Sequence, residues 1–435
     1  MVALPDEFVR TTRQLMGEER FSRYLSAFDE QPPVSIRLNP MKVSLDSLAP
    51  LASLTQTVPW CRNAYYLSER PNFTFDPLLH AGCYYVQEAA SMFLDTVLHQ
   101  HLTPLTSYPS PLTALDLCAA PGGKSTLLRS VLPEGSVLYS NEPVPKRASI
   151  LLENITKWGW PDCLVTNNYP RDYVRSGLKF DIILCDVPCS GEGMFRKDPQ
   201  IIGEWSSQNV EKCWRLQRDI VSDAWACLND GGLLIYSTCT FNTKENEENI
   251  RWILDTFDAE LLPVDTEADW GIIGSLLPGF HGPVYRFIPG ITRSEGLFMA
   301  VVRKRREARG ERRENGGKKR EEKEKRKDNS GKRREGKGKR KENGLRILTP
   351  PSITNVSPHT SHLTPQISLS YPQAISYLQR QALQLPPDTP LGLVQVCYQG
   401  HPLGMVKNLG TRANNLYPKE WAIKSTHAPL EAVTL

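Results

Sequence analysis

From residue 113 to residue 304, short apolar runs alternate with helix-forming segments, and this alternation constrains the fold more than any other feature of the sequence. Runs such as TALDL, SVLYS, CLVT, DIILC and LLIYS have strand length and are followed by segments with helical spacing. This succession predicts a mostly parallel, doubly wound α/β sheet. Because ligands of such sheets bind beyond the carboxyl ends of the strands, we expect the functional residues there.

The flanking segments predict two further domains and a linker. Residues 1–100 mix helical and strand signals and predict an α+β auxiliary domain, in which VQEAASMFLDTVL reads as a helix with Gln87 and Glu88 in its first turn. The α/β domain is placed at 101–303. Residues 344–435 contain LGLVQVCYQGHPLGMVKNLG, whose alternation is typical of a hairpin in a small β-rich domain.

The charge of the chain is concentrated in one segment. Residues 303–342 contain 21 Lys/Arg and 9 Asp/Glu, while the other residues contain 31 Lys/Arg and 39 Asp/Glu. The folded part is therefore acidic, although the whole chain has a formal net charge of +4. The low-complexity stretch 304–343 is expected to be a disordered linker. It is either an insertion that raises solubility or a tether that seeks phosphates in a salt-sensitive way.

The cysteines and the hydropathy exclude several classes of protein. None of the ten cysteines forms a CxxC pair and no Cys/His group has zinc spacing, so we expect free thiols and no metal site. No apolar run approaches the roughly 18 residues that a membrane span needs. The start, MVALPDEFVR, lacks the apolar core of a secretory signal. These features predict a cytoplasmic protein without a membrane partner.

The stretch CAAPGGKS opens a helix directly after the first strand of the α/β unit. It matches neither the GxGxxG dinucleotide fingerprint nor the GxxxxGK[ST] phosphate loop, so NAD and ATP are disfavoured. Glu142 ends the second strand, where a carboxylate typically accepts hydrogen bonds from ribose hydroxyls. The favoured cofactor is S-adenosylmethionine, although a glycine-rich turn can also be purely structural.

Asp186, Cys189 and Cys239 lie at or just past the ends of the fourth and fifth predicted strands. Near an activated methyl group, such residues suit methylation of pyrimidine carbon 5. A thiolate adds to carbon 6 and makes carbon 5 nucleophilic, while an acid such as Asp186 offsets the charge at ring N3. Taken singly, each cysteine is more often a packing residue.

Three motifs resemble the Sun-type RNA cytosine-C5 methyltransferases: DLCAAPGGKS, DVPCSGEGMFRKDP and YSTCTFNTKENE. The resemblance implies a Rossmann-like class I methyltransferase domain, Cys239 as the nucleophile and Cys189 as the residue that assists product release. It also implies that Asp186 lies near both base and cofactor and that Lys197 helps to hold RNA. The cofactor-binding residues implied are Cys118, Ala119, Ala120, Pro121, Gly122, Gly123, Lys124, Glu142 and Asp186.

The likeness extends to both ends of the chain. LPDEFVRTTRQLMG and PPVSIRLNP resemble the N-terminal region of bacterial RsmF-type enzymes, which act on small-subunit ribosomal RNA, and GHPLGMVKNLGTRANNLYPKEW resembles their PUA-like segment. The implied partner is 16S ribosomal RNA or the 30S particle, bound by a monomer. Lys407, Arg412 and Lys419 are either phosphate contacts or solvated surface residues.

One position departs from the family pattern. The family carries an aspartate near the end of the third strand, against the adenine amine, whereas this chain has Tyr169 in NNYPRDY. Tyr169 itself, Asn167 or Asn168 are the candidate substitutes, and Asp172 is a weaker one. Tyr169 and the basic tether suggest one alternative to ribosomal RNA methylation, a non-catalytic RNA-binding role in ribosome assembly. A second alternative keeps the chemistry and changes the substrate to tRNA.

Overall fold

The computed structural model describes residues 3–43, 56–102, 111–306, 339–351 and 364–425, together with four single residues near the C-terminal end of the chain (427, 429, 431 and 432). Within these ranges the chain forms three sheets. No helix in the described ranges is long and apolar enough to cross a membrane.

The N-terminal part consists of two helices and a small antiparallel sheet. Gly17 separates the helices, and the sheet has the order β2-β3-β1-β4. Its elements are α1 (Asp6–Met16), α2 (Glu18–Ser26), β1 (Val34–Leu38), β2 (Gln56–Thr57), β3 (Ala64–Leu67), α3 (Pro77–His80), β4 (Tyr84–Val86) and α4 (Leu94–Leu102).

The helix predicted over VQEAASMFLDTVL begins later than expected. A strand ends at Val86, a 3₁₀ turn covers Ala90–Phe93, and the α-helix starts only at Leu94. Gln87 and Glu88 are therefore outside the helix. The Glu88 carboxylate instead accepts hydrogen bonds from the backbone N–H groups of Ala90 and Ser91, which ends the strand and starts the turn.

The central part confirms the predicted doubly wound sheet. Its elements are β5 (Thr113–Asp116), α5 (Gly123–Val131), β6 (Val137–Asn141), α6 (Pro145–Trp158), β7 (Cys163–Thr166), α7 (Pro170–Ser176), β8 (Phe180–Asp186), α8 (Gln200–Glu204), α9 (Ser207–Cys227), β9 (Leu228–Thr238), α10 (Glu247–Thr256), β10 (Ala259–Leu262), β11 (Tyr285–Phe287) and β12 (Leu297–Lys304). Strands β7, β6, β5, β8 and β9 are neighbours in that order and parallel.

Apolar strands fill this sheet because both of its faces are covered. Ile182 and Leu184 pack into one core, whereas Ile183 and Cys185 pack into the core on the opposite face. A strand buried on both faces reads as a continuous apolar run, which is the pattern DIILC shows. Beyond β9 the sheet continues with β12 and β10, both antiparallel to their neighbours.

The other edge of the sheet contains a hairpin that the sequence did not indicate. Strands β13 (Lys339–Glu342) and β14 (Leu345–Leu348) pair with each other, and β14 pairs antiparallel with β7. The sheet order is therefore β10-β12-β9-β8-β5-β6-β7-β14-β13. The predicted linker boundary at 343/344 does not coincide with an end of this sheet, because residues on both sides of it extend the α/β domain.

The C-terminal part is the predicted small β-rich unit. It comprises β15 (Gln366–Ser368), α11 (Tyr371–Leu378), β16 (Gly392–Tyr398), β17 (His401–Asn408) and β18 (Ala413–Asn415), and β16 and β17 form the expected hairpin. Its apolar residues share one core with the N-terminal sheet: Ile36 and Tyr84 belong to the same cluster as Tyr377 and Val394. The Tyr371 hydroxyl donates to the Phe75 carbonyl across this junction.

Candidate active site

The predicted cofactor loop (CAAPGGKS, residues 118–125) leads from β5 into α5, after the carboxyl end of β5. Gly122 precedes the helix with φ of 118°, a conformation that side chains other than glycine rarely adopt. A Cβ atom at this position would also lie 3.1 Å from a methyl of Leu151. The loop is therefore a close-packed turn whose backbone is open to a ligand at the start of α5.

Glu142 follows the neighbouring strand β6 and is 1% exposed. Its Oε1 accepts a hydrogen bond from the Val144 N–H, but its Oε2 makes no hydrogen bond to any described residue and has only Arg147 Nη1 at 3.4 Å. A buried carboxylate oxygen without a donor is costly unless a ligand supplies one. Ribose hydroxyls are donors of this kind, so this residue fits the predicted nucleoside ligand.

Asp116, at the end of β5, is a buried acid that the sequence interpretation did not single out. Its Oδ2 accepts a hydrogen bond of 2.6 Å from Ser125 Oγ, in the first turn of α5. Burial, opposed in part by this bond, raises the pKa of Asp116 to about 7. Asp116 therefore ties the strand to the helix on the two sides of the cofactor loop.

The residues after β7 are the candidates for the position at which the family carries an aspartate. Asn168 does not face the cofactor side, because its amide exchanges hydrogen bonds with the backbone N–H and C=O of Arg346 in β14. Asp172 accepts a hydrogen bond from the Tyr169 N–H and so caps α7. Tyr169 is 59% exposed, with the Arg171 guanidinium 5.5 Å from its ring centre.

Asn167 is the buried candidate at this position. Its amide nitrogen donates to the carbonyls of Glu142 and Pro143, which connects the end of β7 to the loop after β6. An amide whose nitrogen is held in this way keeps an oxygen that can accept from an amine. The two candidates that remain for adenine recognition are therefore Asn167, by hydrogen bonding, and Tyr169, by stacking.

Asp186 ends β8 and joins the cofactor loop to the neighbouring strand. Its Oδ2 lies 2.9 Å from Lys124 Nζ, and its Oδ1 accepts a hydrogen bond of 2.7 Å from Ser237 Oγ in β9. Burial by itself would lower the pKa of Lys124, but the negative charges of Asp186, Cys239 and Asp116 together raise it. Lys124 is therefore a firmly protonated cation beside both Asp186 and Cys239.

Cys189 and Cys239 are brought together as the sequence predicted. Their sulfur atoms are 3.2 Å apart, and the Cys239 N–H donates to Cys189 Sγ at 3.3 Å. Both residues are partly exposed. The hydrogen bond to Cys239, burial and the negative charges of Cys239 and Glu245 raise the pKa of Cys189 well above its ordinary value. Either sulfur atom could be the donor in their contact, and we assign Cys189 as the donor because its pKa is raised.

A groove of about 920 Å³ lies between the N-terminal sheet and the loops beside the cysteines. Its lining includes Gln87, Lys197, Arg293 and Glu295. Lys197 is exposed, and the Arg293 guanidinium lies 4.1 Å from the centre of the Tyr66 ring. The groove therefore offers three exposed cations, Arg70, Lys197 and Arg293, next to the exposed carboxylates of Glu30 and Glu69.

The remaining predicted contacts lie away from this site. Lys407, Arg412 and Lys419 are exposed on the C-terminal unit, where their role as phosphate contacts stays a prediction.

Among the described residues, no group of three or more His, Cys, Asp or Glu side chains is arranged to hold a metal ion. The sequence interpretation also missed Ser237, Glu192 and Glu245, although all three stand within the quoted motifs.

Three family models match the chain in the order of its domains. The model of the N-terminal domain of 16S rRNA methyltransferase RsmF matches residues 4–89, the 16S rRNA methyltransferase RsmB/F model matches 109–303, and the RsmF PUA-domain model matches 364–423. The third match agrees with the predicted PUA-like unit.

The chain is similar to curated proteins named ribosomal RNA small subunit methyltransferase F. It is 33% identical to the protein from Pectobacterium atrosepticum over 314 residues, which cover 69% of this chain and 63% of the relative. It is 32% identical to the Shigella flexneri protein over 321 residues, covering 70% and 64% respectively. The chain thus spans less than two thirds of the length of these relatives.

Solved structures show the same fold. A methyltransferase homologue from Pyrococcus horikoshii has a TM-score of 0.56 and 28% identity, with 70% of this chain and 96% of that chain covered. NSun6 from the same organism has a TM-score of 0.57 and 21% identity, with 70% and 99% covered. The three family models and the curated relatives show that the chain belongs to the RsmB/F methyltransferase family, as a Sun-type member with RsmF-type N-terminal and PUA domains.

Proposed function

We propose that this protein transfers a methyl group from S-adenosylmethionine to carbon 5 of a cytosine in small-subunit ribosomal RNA. The observation that carries the proposal is the pair of sulfur atoms 3.2 Å apart beside the Lys124–Asp186 ion pair. The relatives support the substrate class, since they are named ribosomal RNA small subunit methyltransferases.

The residues around α5 fit the cofactor. Glu142 Oε2 has no donor among the described residues and would receive the ribose hydroxyls, while the backbone of Gly122 and Gly123 would lie against the ligand. Asn167 or Tyr169 would contact the adenine. When bound, S-adenosylmethionine supplies an electrophilic methyl group on a sulfonium.

Cys239 is the nucleophile in this proposal. The Cys189 thiol donates to its sulfur, and the Lys124 cation lies close enough for the two to interact electrostatically. The thiolate is the reactive form of cysteine, and Lys124 is the cation that would lie near it. Addition of this thiolate to ring carbon 6 places electron density on carbon 5, which otherwise is a poor nucleophile.

Asp186 and Lys124 set the choice of base. Lys124 Nζ donates to Asp186 Oδ2, so this pair has a proton to share with a ring nitrogen. In neutral cytosine N3 is an acceptor, whereas in uracil N3 carries a hydrogen. A proton donor at this position therefore favours cytosine and offsets the charge that develops at N3 during addition.

Cys189 acts at the end of the reaction. After methylation, a base takes the proton from carbon 5, its electron pair re-forms the double bond between carbons 5 and 6, and the bond between Cys239 and carbon 6 breaks, which frees Cys239 as a thiolate. A thiol that already donates to this sulfur stabilises the leaving group. The target base must leave its stack to reach Cys239, and the groove lined by Lys197 and Arg293 is placed to receive adjoining nucleotides.

The test is methyl transfer by the full chain from labelled S-adenosylmethionine to three substrates: small-subunit particles, protein-free ribosomal RNA and tRNA. We expect label as 5-methylcytosine in small-subunit RNA, with the position read by bisulfite sequencing. Label in tRNA alone would show that the substrate is tRNA and not small-subunit ribosomal RNA. RNA binding without incorporation into any substrate would favour a non-catalytic assembly role. The Cys239→Ala variant is the control for label that does not depend on this site.

A further inference from the structure

Each cysteine loop carries a buried carboxylate that holds the other loop. Glu192 lies three residues after Cys189, and Glu245 lies six residues after Cys239. Their side chains are almost fully buried, at 2% and 0% exposure. Neither carboxylate has a Lys or Arg ion-pair partner among the described residues, so their donors come from backbone and neutral side chains.

Glu192 holds the loop of Cys239. Its Oε2 accepts hydrogen bonds from the backbone N–H groups of Phe241 and Asn242, both at 2.8 Å. Its Oε1 accepts from Trp205 Nε1 at 3.0 Å. The backbone two and three residues beyond Cys239 is therefore fixed to a residue of the opposite loop.

Glu245 holds the loop of Cys189 in the reciprocal way. Its Oε2 accepts from the Ser190 N–H at 3.1 Å and from Gln217 Nε2 at 2.7 Å, while its Oε1 accepts from Ser190 Oγ at 2.5 Å. Ser190 is the residue directly after Cys189, so the bond acts next to the sulfur-bearing residue.

Asn242 links the two carboxylates. Its Nδ2 donates to Glu192 Oε1 at 3.1 Å and to Glu245 Oε1 at 2.8 Å. The Gly193 N–H also donates to the carbonyl of Cys239 at 2.9 Å. The result is a closed set of hydrogen bonds around both cysteine loops, which we name the carboxylate clasp (Glu192, Glu245 and Asn242).

The clasp removes two carboxylates from water near each other, which is costly even when both are hydrogen-bonded. Both oxygens of each carboxylate accept hydrogen bonds, so an amide in either place would set an NH2 donor against other donors. The negative charge has an effect of its own on the sulfur atoms, because Glu245 is among the causes that raise the pKa of Cys189. This electrostatic effect separates a functional role from a purely structural one.

We propose that the carboxylate clasp consists of positioning residues that fix the separation of the two sulfur atoms and confine the negative charge to Cys239. This inference rests on the proposed function, in which Cys239 attacks and Cys189 donates. Displacement of reacting groups by about 1 Å can reduce a rate by about 10²-fold. The carboxylates of Glu192 and Glu245 are buried and hydrogen-bonded within the protein, so we expect substrate binding to be unaffected.

The test replaces Glu245 with Gln, which keeps the size of the side chain, removes the charge and turns one acceptor oxygen into an NH2 donor. The matched control is Glu248→Gln, three residues further on, in α10 and outside the clasp. We expect Glu245→Gln to lower kcat by about tenfold or more and to leave KM for RNA within about twofold. In a Cys239→Ser background, the pH midpoint for alkylation of Cys189 by iodoacetamide should fall in Glu245→Gln and stay unchanged in Glu248→Gln.

If Glu245 only holds the loop, its replacement would raise the rate of Cys189 alkylation at every pH. If its charge acts on the thiol, the replacement would move the pH midpoint of alkylation. The pH profile therefore separates the structural role from the electrostatic one. If Glu245→Gln is also less stable, the exchange variant Glu245→Gln/Gln217→Glu returns a carboxylate across the same hydrogen bond and should restore part of kcat. A wild-type kcat together with an unchanged midpoint in Glu245→Gln would overturn the inference. The alkylation experiment does not depend on methyl transfer. If the wild-type protein transfers no methyl group, the proposed function is refuted. The pH midpoint for alkylation of Cys189 would still show whether the charge of Glu245 acts on that thiol.

Discussion

Cys189 and Cys239 are separated by 50 residues in the sequence and by 3.2 Å between their sulfur atoms. The register of two parallel strands produces this contact. Asp186 at the end of β8 is paired with Ser237 in β9, so the cysteines three and two residues further on reach the same level. The contact follows from the sheet and not from a disulfide or a metal, and this leaves both sulfurs available for chemistry.

Removal of the Cys189 thiol should trap the reaction after methylation. We expect Cys189→Ala to accumulate a covalent protein–RNA adduct, because the sulfur of Cys239 loses the donor that stabilises it as a leaving group. A denaturing gel measures the adduct as a shifted band. Cys239→Ala should form no adduct and transfer no methyl group. Normal turnover without an adduct in Cys189→Ala would assign Cys189 another role.

Lys124→Met should lower kcat by about 10²-fold or more, which is within the range that proton transfer contributes. The change removes the cation next to Asp186 and Cys239 and keeps the length of the side chain. Steady-state kinetics with saturating cofactor measure the effect. Lys212→Met, at an exposed position on α9, is the control. Equal activity of the two variants would show that the ion pair is not needed.

Glu142→Gln should weaken S-adenosylmethionine binding by about 1–3 kcal/mol, roughly 5- to 150-fold, because hydrogen bonds to a charged acceptor are lost. The buried Oε2, which lacks a donor within the described protein, is the reason for this expectation. Isothermal titration calorimetry measures the affinity, and Glu134→Gln at an exposed site is the control. An unchanged affinity would place the ribose elsewhere.

The charged segment should contribute to the salt dependence of RNA binding. Strands β12 and β13 lie seven positions apart in the sheet, roughly 34 Å at the usual spacing, so a simple deletion would strain the fold. Residues 307–338 should therefore be replaced by a Gly/Ser segment of equal length. We expect a shallower slope of log affinity against log salt concentration. The same slope in both proteins would mean that the segment does not contact RNA.

Asp116 should make stability depend on pH. Its pKa is raised to about 7 by burial, from an ordinary value near 4. The folded state then holds a proton that the unfolded state has lost, so stability decreases as the pH rises from about 4 to about 7. Asp116→Asn should narrow the difference in urea midpoint between pH 5 and pH 8. Asp255→Asn, at an exposed site, should behave like the wild type.

The strand ends of the α/β domain could be predicted from the sequence because their signals are local. An apolar run of strand length that ends in polar residues identifies both the strand and its carboxyl end, and this placed Asp186 and Cys239 correctly. The start of α4 was not predictable in this way, since the Glu88 side chain caps a 3₁₀ turn inside a segment with helical spacing.

The contacts that the sequence did not reveal are those set by the tertiary fold. Glu192 and Glu245 are charged residues in loop sequences, which are usually solvent-exposed, and only the packing of two loops buries them. The hairpin of β13 and β14 was missed for a similar reason. Its first strand is rich in charge, and its pairing with β7 depends on the Asn168 amide, which binds Arg346 from 178 residues away.

The core shared by the N-terminal sheet and the C-terminal unit has a consequence during synthesis. Tyr84 and Tyr377 belong to one apolar cluster, yet almost 300 residues lie between them. At about 5–20 residues per second, the ribosome needs roughly 15–60 s to make that stretch. For this interval the apolar face of the N-terminal sheet has no partner, so the nascent chain must remain shielded until its own C-terminal unit emerges to cover it.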